Sequence, residues 1–152
     1  MKQFMLVASA GGHLAELQKL ALANHPDSII ITEKTDSVNN PNYEYLRYGT
    51  RSKIFVYPFI FMSNFIRAWY YLVRYRPKYL ISTGAHSCVP FFMLAKIFPL
   101  RRIRTIYIES FAKVNSPSMT YNIIKNSCDV VIVQHQELLD IYPNSVYLGG
   151  VY

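Results

Sequence analysis

The sequence predicts an α/β domain built on a Rossmann-like, doubly wound parallel sheet, and three observations predict it. Short apolar runs recur along the chain with helix-length segments between them, the alternation that produces parallel sheets. The first run, Phe4 to Ala8, passes into Ser9-Ala10-Gly11-Gly12, and then Leu14, Leu17 and Ala21 follow at helical spacing. Strand, glycine turn and helix form the opening of such a fold. Later runs also end in small or polar turns: Thr83-Gly84-Ala85-His86-Ser87, Glu109-Ser110 and Gln134-His135. In an open parallel sheet, ligands gather beyond the carboxyl ends of the strands, where these turns would lie.

Taken in order, strands are expected at Phe4 to Ala8, Ile29 to Thr32, Lys53 to Tyr57, Lys78 to Ser82, Arg104 to Ile108, Asp129 to Val133 and Ser145 to Leu148. Helices are expected from Leu14, over Phe59 to Arg76, and over Pro90 to Phe98, Met119 to Asn126 and Glu137 to Ile141. Thr35 to Tyr48 is polar, contains Asn39-Asn40-Pro41-Asn42, and reads as a surface loop. The 152 residues suffice for one domain with a real core, and no repeat, linker or low-complexity tract divides them.

Composition points toward a surface that meets something else. Half the residues are hydrophobic and only 16% are charged, where about 25% is usual. The formal net charge is +7, with 13 Tyr and 9 Phe. A basic, aromatic, charge-poor chain suits a membrane face or a large partner interface. No recognition-helix or RNP-like motif supports nucleic acid as the partner. Met1 to Ala10 lacks the order of regions of a signal peptide, so a cytoplasmic protein is expected. Cys88 and Cys128 form no CxxC and are expected to be buried thiols, with no disulfide or metal role.

Phe59 to Arg76 departs from ordinary helix patterning. Phe59, Met62, Ile66, Trp69 and Val73 share one helical face; Ser63, Arg67, Tyr71 and Arg74 share another. A core helix has one apolar face and a charged back. A membrane span wants about 20 apolar residues with few charges, and Ser63, Asn64 and Arg67 interrupt this one. A helix lying in the membrane interface accounts best for the pattern, with Arg67, Arg74 and Arg76 toward head groups and Trp69, Tyr70 and Tyr71 at their depth. A core helix with an aromatic-rich surface and a membrane span are the alternatives. Ile97, Phe98 and Leu100 beside Arg101, Arg102 and Arg104 suggest a second membrane-touching corner, or else a solvated loop.

Gly11 and Gly12 leave peptide N–H groups uncovered at a helix N-terminus, which suits a phosphate or diphosphate. The bland alternative is a tight turn that binds nothing. A full G-x-G-x-x-G is absent, although Glu33 stands where a ribose-binding acid would be in a dinucleotide site. His13 is the first candidate for a general base or a phosphate contact. Glu109 is the second, as acceptor from a sugar hydroxyl or as a base. Gly84, His86 and Ser110 complete the expected acceptor or phosphate site, His86 and His135 being weaker candidates than His13, and His25 is a surface residue. The chain shows no metal-ligand spacing and no nucleophile elbow, and no cofactor is expected.

Four blocks carry a resemblance along nearly the whole chain: Ser9-Ala10-Gly11-Gly12-His13-Leu14 with Glu16-Leu17; Ser82-Thr83-Gly84-Ala85 running to Cys88-Val89-Pro90; Tyr107-Ile108-Glu109-Ser110; and Tyr147-Leu148-Gly149. In these it resembles the oligosaccharide-biosynthesis subunit that forms the N-terminal half of a split GT-B glycosyltransferase. One version anchors the UDP-N-acetylglucosamine transferase of the dolichol pathway, and bacterial counterparts serve capsular or exopolysaccharide synthesis. The Gly-Gly-His turn is also similar to the first loop of the peptidoglycan lipid-linked N-acetylglucosaminyltransferase. The resemblance implies half of a GT-B enzyme, inactive or weakly active alone. A catalytic C-terminal-half subunit would bind the UDP-sugar, and this chain would face the cytoplasmic side of the membrane and a polyprenyl-diphosphate-linked sugar acceptor. The last strand falls where a one-chain enzyme would continue into its second domain. The eukaryotic relatives begin with a membrane anchor, whereas here the first strand follows Met1 closely. Attachment is therefore expected through Phe59 to Arg76 and the Ile97 to Arg102 corner.

Overall fold

A computed structural model describes residues 2–49, 56–97 and 103–151. Seven strands form one sheet: β1 Phe4–Ala8, β2 Ser28–Glu33, β3 Tyr43–Leu46, β4 Tyr79–Gly84, β5 Arg104–Ile108, β6 Val130–Val133 and β7 Ser145–Tyr147. The order is β3-β2-β1-β4-β5-β6-β7 and every neighbouring pair is parallel. The helices are α1 Gly12–Lys19, α2 Tyr57–Tyr75, α3 Val89–Ile97 and α4 Met119–Ile124, with short 3₁₀ turns between some of them. The expected doubly wound sheet is present.

The chain builds outward from β1 to β3, then crosses back to lay β4 on the other side of β1. The order therefore reverses between β1 and β4, and that seam is where an open α/β sheet forms its crevice. A register shift between Val7 and Ala8 carries the pairing from Val7–Ser82 to Ala8–Gly84, at the carboxyl end of the same seam.

Alternation along the strands feeds two cores, as a sheet covered on both faces requires. Met5 and Val7 join Ala68, Leu72, Phe91 and Phe92 on the α2–α3 side. Leu6 and Ala8 join Leu14 and Leu17 of α1 on the other. Cys88 is buried and Cys128 half-buried, both are free thiols, and burial pushes each up to about 12.

Two expectations about the third strand are corrected. The segment read as a loop, Thr35 to Tyr48, contains β3, because its four residues pair with Ile30 to Glu33 while only Leu46 becomes fully buried. The strand expected at Lys53 to Tyr57 does not appear where it can be followed. Residues 53–55 lie outside the described residues, Val56 is in a turn and Tyr57 opens α2. Of the second membrane corner, Phe98, Leu100, Arg101 and Arg102 also lie outside the described residues.

Helix α2 is oriented against the usual rule. Its inward side carries Asn64, Ala68, Tyr71 and Leu72. Outward it presents Phe59, Met62 and Ile66, which are 77%, 60% and 65% exposed, together with Trp69, Tyr70 and Val73. The cause is the edge strand and the turn after it. Asn64 Oδ1 accepts from Arg47 N–H at 2.8 Å and its Nδ2 donates to Arg47 O at 2.9 Å. Tyr71 and Arg67 both donate to Tyr45 O, at 3.0 and 3.2 Å, and Tyr75 donates to Glu44. Polar groups are drawn inward to backbone atoms that would otherwise lack partners, so the apolar stripe faces out. Arg67, expected among head groups, points toward β3 instead, while Arg74 is exposed and donates to Tyr70 at 2.6 Å. Among the described residues no helix is long and apolar enough to cross a membrane.

Candidate functional site

The turn after β1 and the turn after β4 meet across the seam and are cross-tied by His13 and Thr83. Thr83 Oγ1 donates to His13 O at 2.7 Å, and His13 Nδ1 lies 2.8 Å from Thr83 O. A carbonyl only accepts, so Nδ1 carries a proton, and in the neutral ring the lone pair is then on Nε2. Gly84 makes this approach possible. Its φ is +115°, and a Cβ there would meet the His13 ring at 3.2 Å and Tyr107 Oη at 3.3 Å. Gly11, at φ +97°, caps α1 with no side-chain hydrogen bond, and the first turn has no acidic residue. The N–H groups of that turn and the positive end of the helix are left open to an anion.

His13, His86, Tyr107, Glu109, Lys113 and Met119 are among the residues around a cleft of about 330 Å³. A second hollow of about 580 Å³, lined by Gly12, His13, Glu16, Ser110, Phe111 and Ala112, shares His13, Ser110 and Ala112 with the first. The structure thus gathers His13, His86, Glu109 and Ser110 around the cleft, with Gly12 beside His13 in the second hollow and Gly84 packed against the His13 ring, whereas Gly11 lines a separate hollow with Leu14, Gln18 and Tyr43. His25 lies elsewhere, accepting from Asp27 N–H and packing on Phe4. His135 donates through Nε2 to Phe111 O at 2.7 Å and packs at a tilt against the Phe111 ring, so it holds a loop.

Glu109 has no lone pair to spare for a sugar. Its carboxylate is buried and accepts from Tyr107 Oη at 3.2 Å, Ser110 N–H at 3.0 Å, Ser118 N–H at 3.3 Å and the Tyr142 hydroxyl. Burial, followed by the adjacent carboxylate, pushes the Tyr107 and Tyr142 phenols up, so both remain donors. Its place in the cleft is that of a post from which the 110–118 segment hangs.

Glu16 is a site residue that sequence reasoning used only as part of a motif. It is buried, and its Oε1 accepts from Phe111 N–H at 3.0 Å and from Gln134 Nε2. Gln134 Nε2 also donates to Glu109 O at 2.9 Å, and its Oε1 accepts from Val151 N–H at 2.8 Å. One polar node therefore joins α1, the loop after β5, the turn after β6 and the last residues. The signal for it was spacing: Glu16 is one helical turn beyond Gly12, on the side that faces the crevice. Glu33, read as a possible ribose ligand, is 2% exposed and lies 3.1 Å from His86 Nε2. Among the described residues no three His, Cys, Asp or Glu side chains are placed to hold a metal.

Solved structures share this architecture. MurG of Acinetobacter baumannii superposes with TM-score 0.73 at 17% identity, covering 99% of this chain and 46% of that one. MnaA of Staphylococcus aureus, solved with UDP, gives 0.68 at 16% identity over 99% and 44%. UDP-GlcNAc 2-epimerase from Methanocaldococcus jannaschii gives 0.66 at 14% over 99% and 46%. This chain spans less than half of each, and what it matches is the N-terminal domain type of GT-B glycosyltransferases.

Within that class the sequence is more specific. Residues 47–151 match the family of Oligosaccharide biosynthesis protein Alg14 like, and the chain belongs to that family. It is 26% identical over 179 residues to the mouse UDP-N-acetylglucosamine transferase subunit ALG14, covering 98% of this chain and 82% of the relative. To the subunit of the same name from Saccharomyces cerevisiae it is 26% identical over 182 residues, covering 98% and 76%. The family match includes His86, Glu109 and Gln134, and begins after the His13 turn and Glu33.

Proposed function

We propose that this chain is the acceptor-side subunit of a two-component glycosyltransferase that uses a UDP-sugar. A catalytic partner, the equivalent of a GT-B C-terminal half, holds the donor. This chain recruits the partner to the cytoplasmic face of the membrane and binds a polyprenyl-diphosphate-linked sugar. The polymer served is a capsular or exopolysaccharide. Family membership and the names of the relatives support the two-component reading; the outward apolar face of α2 supports apposition to a bilayer.

The observation that carries the chemistry is the fixed tautomer of His13. With Nδ1–H given to Thr83 O, Nε2 is available to a hydroxyl in the crevice. The acceptor hydroxyl attacks the anomeric carbon, the bond from that carbon to the UDP oxygen breaks, UDP leaves, and the hydroxyl proton passes to Nε2. The sugar is transferred with inversion. The open first turn of α1 and the Gly84 turn hold the acceptor diphosphate.

The test is transfer to a lipid-linked acceptor from a panel of UDP-sugars, by this chain, by the partner, and by both on membranes. Transfer is expected only from the mixture, and no stimulation under any pairing removes the reading. His13→Ala is expected to lower kcat by about 100-fold or more while partner co-purification is unchanged. Unaltered turnover would make the chain a scaffold without chemistry.

A further inference from the structure

We propose that Glu33 and His86 form a pair in which the buried carboxylate holds the imidazole as a diphosphate-binding group on the cleft wall. This inference rests on the reading above and supplies the residues that would read the ligand's anion.

Glu33 is the last residue of β2, one strand beyond the seam. It is 2% exposed, and its Oε1 makes no hydrogen bond. His86 Nε2 lies 3.1 Å from that oxygen, at ion-pair distance but without a hydrogen bond. A carboxylate removed from water with an oxygen unmatched is costly, on the order of several kcal/mol.

His86 is delivered to Glu33 by an unusual backbone. Gly84 at φ +115° and Ala85 at φ +69° are consecutive residues in the left-handed half of conformational space, and His86 follows at the start of a 3₁₀ turn. A non-glycine residue there costs on the order of 1 kcal/mol or more. The result is a side chain 38% exposed, lying between a buried acid and an open cleft. Tyr57 packs on one side of the ring at 5.8 Å. His13 and Lys113 are the other basic groups lining the cleft, and its carboxylate, Glu109, is consumed by four donors.

A bound anion completes the arrangement. With the Glu33 carboxylate 3.1 Å from Nε2 holding the ring in place, Nδ1–H is the donor offered to a phosphate oxygen. Glu33 is thus a positioning residue that acts through His86. A diphosphate is the anion shared by a lipid-linked acceptor and a nucleotide-sugar, so the two sources must be separated by experiment.

The full chain, labelled with ¹⁵N-histidine, is titrated with geranyl diphosphate and separately with UDP, and the ring nitrogens are followed by NMR. The His86 signals are expected to move with saturating diphosphate. His86→Gln and Glu33→Gln should each weaken binding about tenfold, and the double variant should be no weaker than either single one. Tighter response to geranyl diphosphate assigns the pair to the acceptor, and tighter response to UDP assigns it to the nucleotide. Absence of binding, single variants within twofold of the parent, or losses that add in the double variant would each overturn the proposal. The half-exposed His86 tolerates replacement, so its variant decides the matter even if Glu33→Gln lowers the melting temperature. Binding is read on this chain alone, so a failure of sugar transfer with the partner is a separate result.

Discussion

Helix α1 keeps Leu14 and Leu17 inside and gives Ala15, Gln18 and Lys19 to solvent. Helix α2 gives Phe59, Met62 and Ile66 to solvent and keeps Asn64 and Tyr71 inside. Both pack on the same sheet. The difference is what each helix finds beneath it. Under α1 lie apolar side chains of β1 and β4. Under the middle of α2 lie the edge strand β3 and the turn after it, with carbonyls at Tyr45 and Arg47 and an N–H at Arg47 that require partners. The polar side of α2 therefore maintains the fold. Its apolar side contributes little to the isolated chain and is suited to a second surface.

The sharpest way to break this comparison is to change only the outward face. Replacing Phe59, Met62 and Ile66 together by Ser should reduce partition onto lipid vesicles about 1000-fold, taking about 1.5 kcal/mol per large apolar side chain. Urea stability should change by no more than about 0.5 kcal/mol per site. A large loss of stability would show that the face belongs to the fold. Replacing an inward residue should do the reverse. Asn64→Ala strands two backbone groups of Arg47 and should cost about 2–3 kcal/mol of unfolding free energy, with vesicle partition of the folded protein unchanged.

The smallest effect is alkaline. Burial first, then the hydrogen bond to Glu44, pushes the Tyr75 phenol from its ordinary 10.0 up to about 12. The folded chain thus holds this proton more tightly than the unfolded one. Its contribution is present below pH 10 and is lost as pH rises from about 10 through about 12. Tyr75→Phe should flatten that limb of the stability curve, and no comparable change is expected from substitutions on the outward face.

Strand positions were legible because a buried parallel strand is a continuous apolar run; β1 and β5 occur where the sequence places them. β3 was not, because a four-residue edge strand with one fully buried side chain carries almost no hydrophobic signal. The apolar face of α2 was legible as a face, but its direction was not. Rotation of the helix is set by carbonyls of β3, and no residue within α2 encodes them. Arg67 shows the consequence, since it shares the polar side and is drawn inward with it.

The crevice was legible through a fold rule: turns after parallel strands converge. That rule brings His13, Gly84, His86 and Glu109 together without saying what each contacts. The occupancy of Glu109 by four donors was hidden, because Ser118 and Tyr142 are distant along the chain. Glu16 was hidden for the same reason, with Phe111 and Gln134 separated from it by 95 and 118 positions.

The two bonds between His13 and Thr83 have a mechanical consequence. They clamp the turns of β1 and β4 in both directions, so the seam is a fixed jaw. The facing jaw is the 110–118 segment, held at both ends by Glu109 and at Phe111 by Glu16 and His135. In the proposed reaction the imidazole that takes the acceptor proton therefore stands on the clamped side.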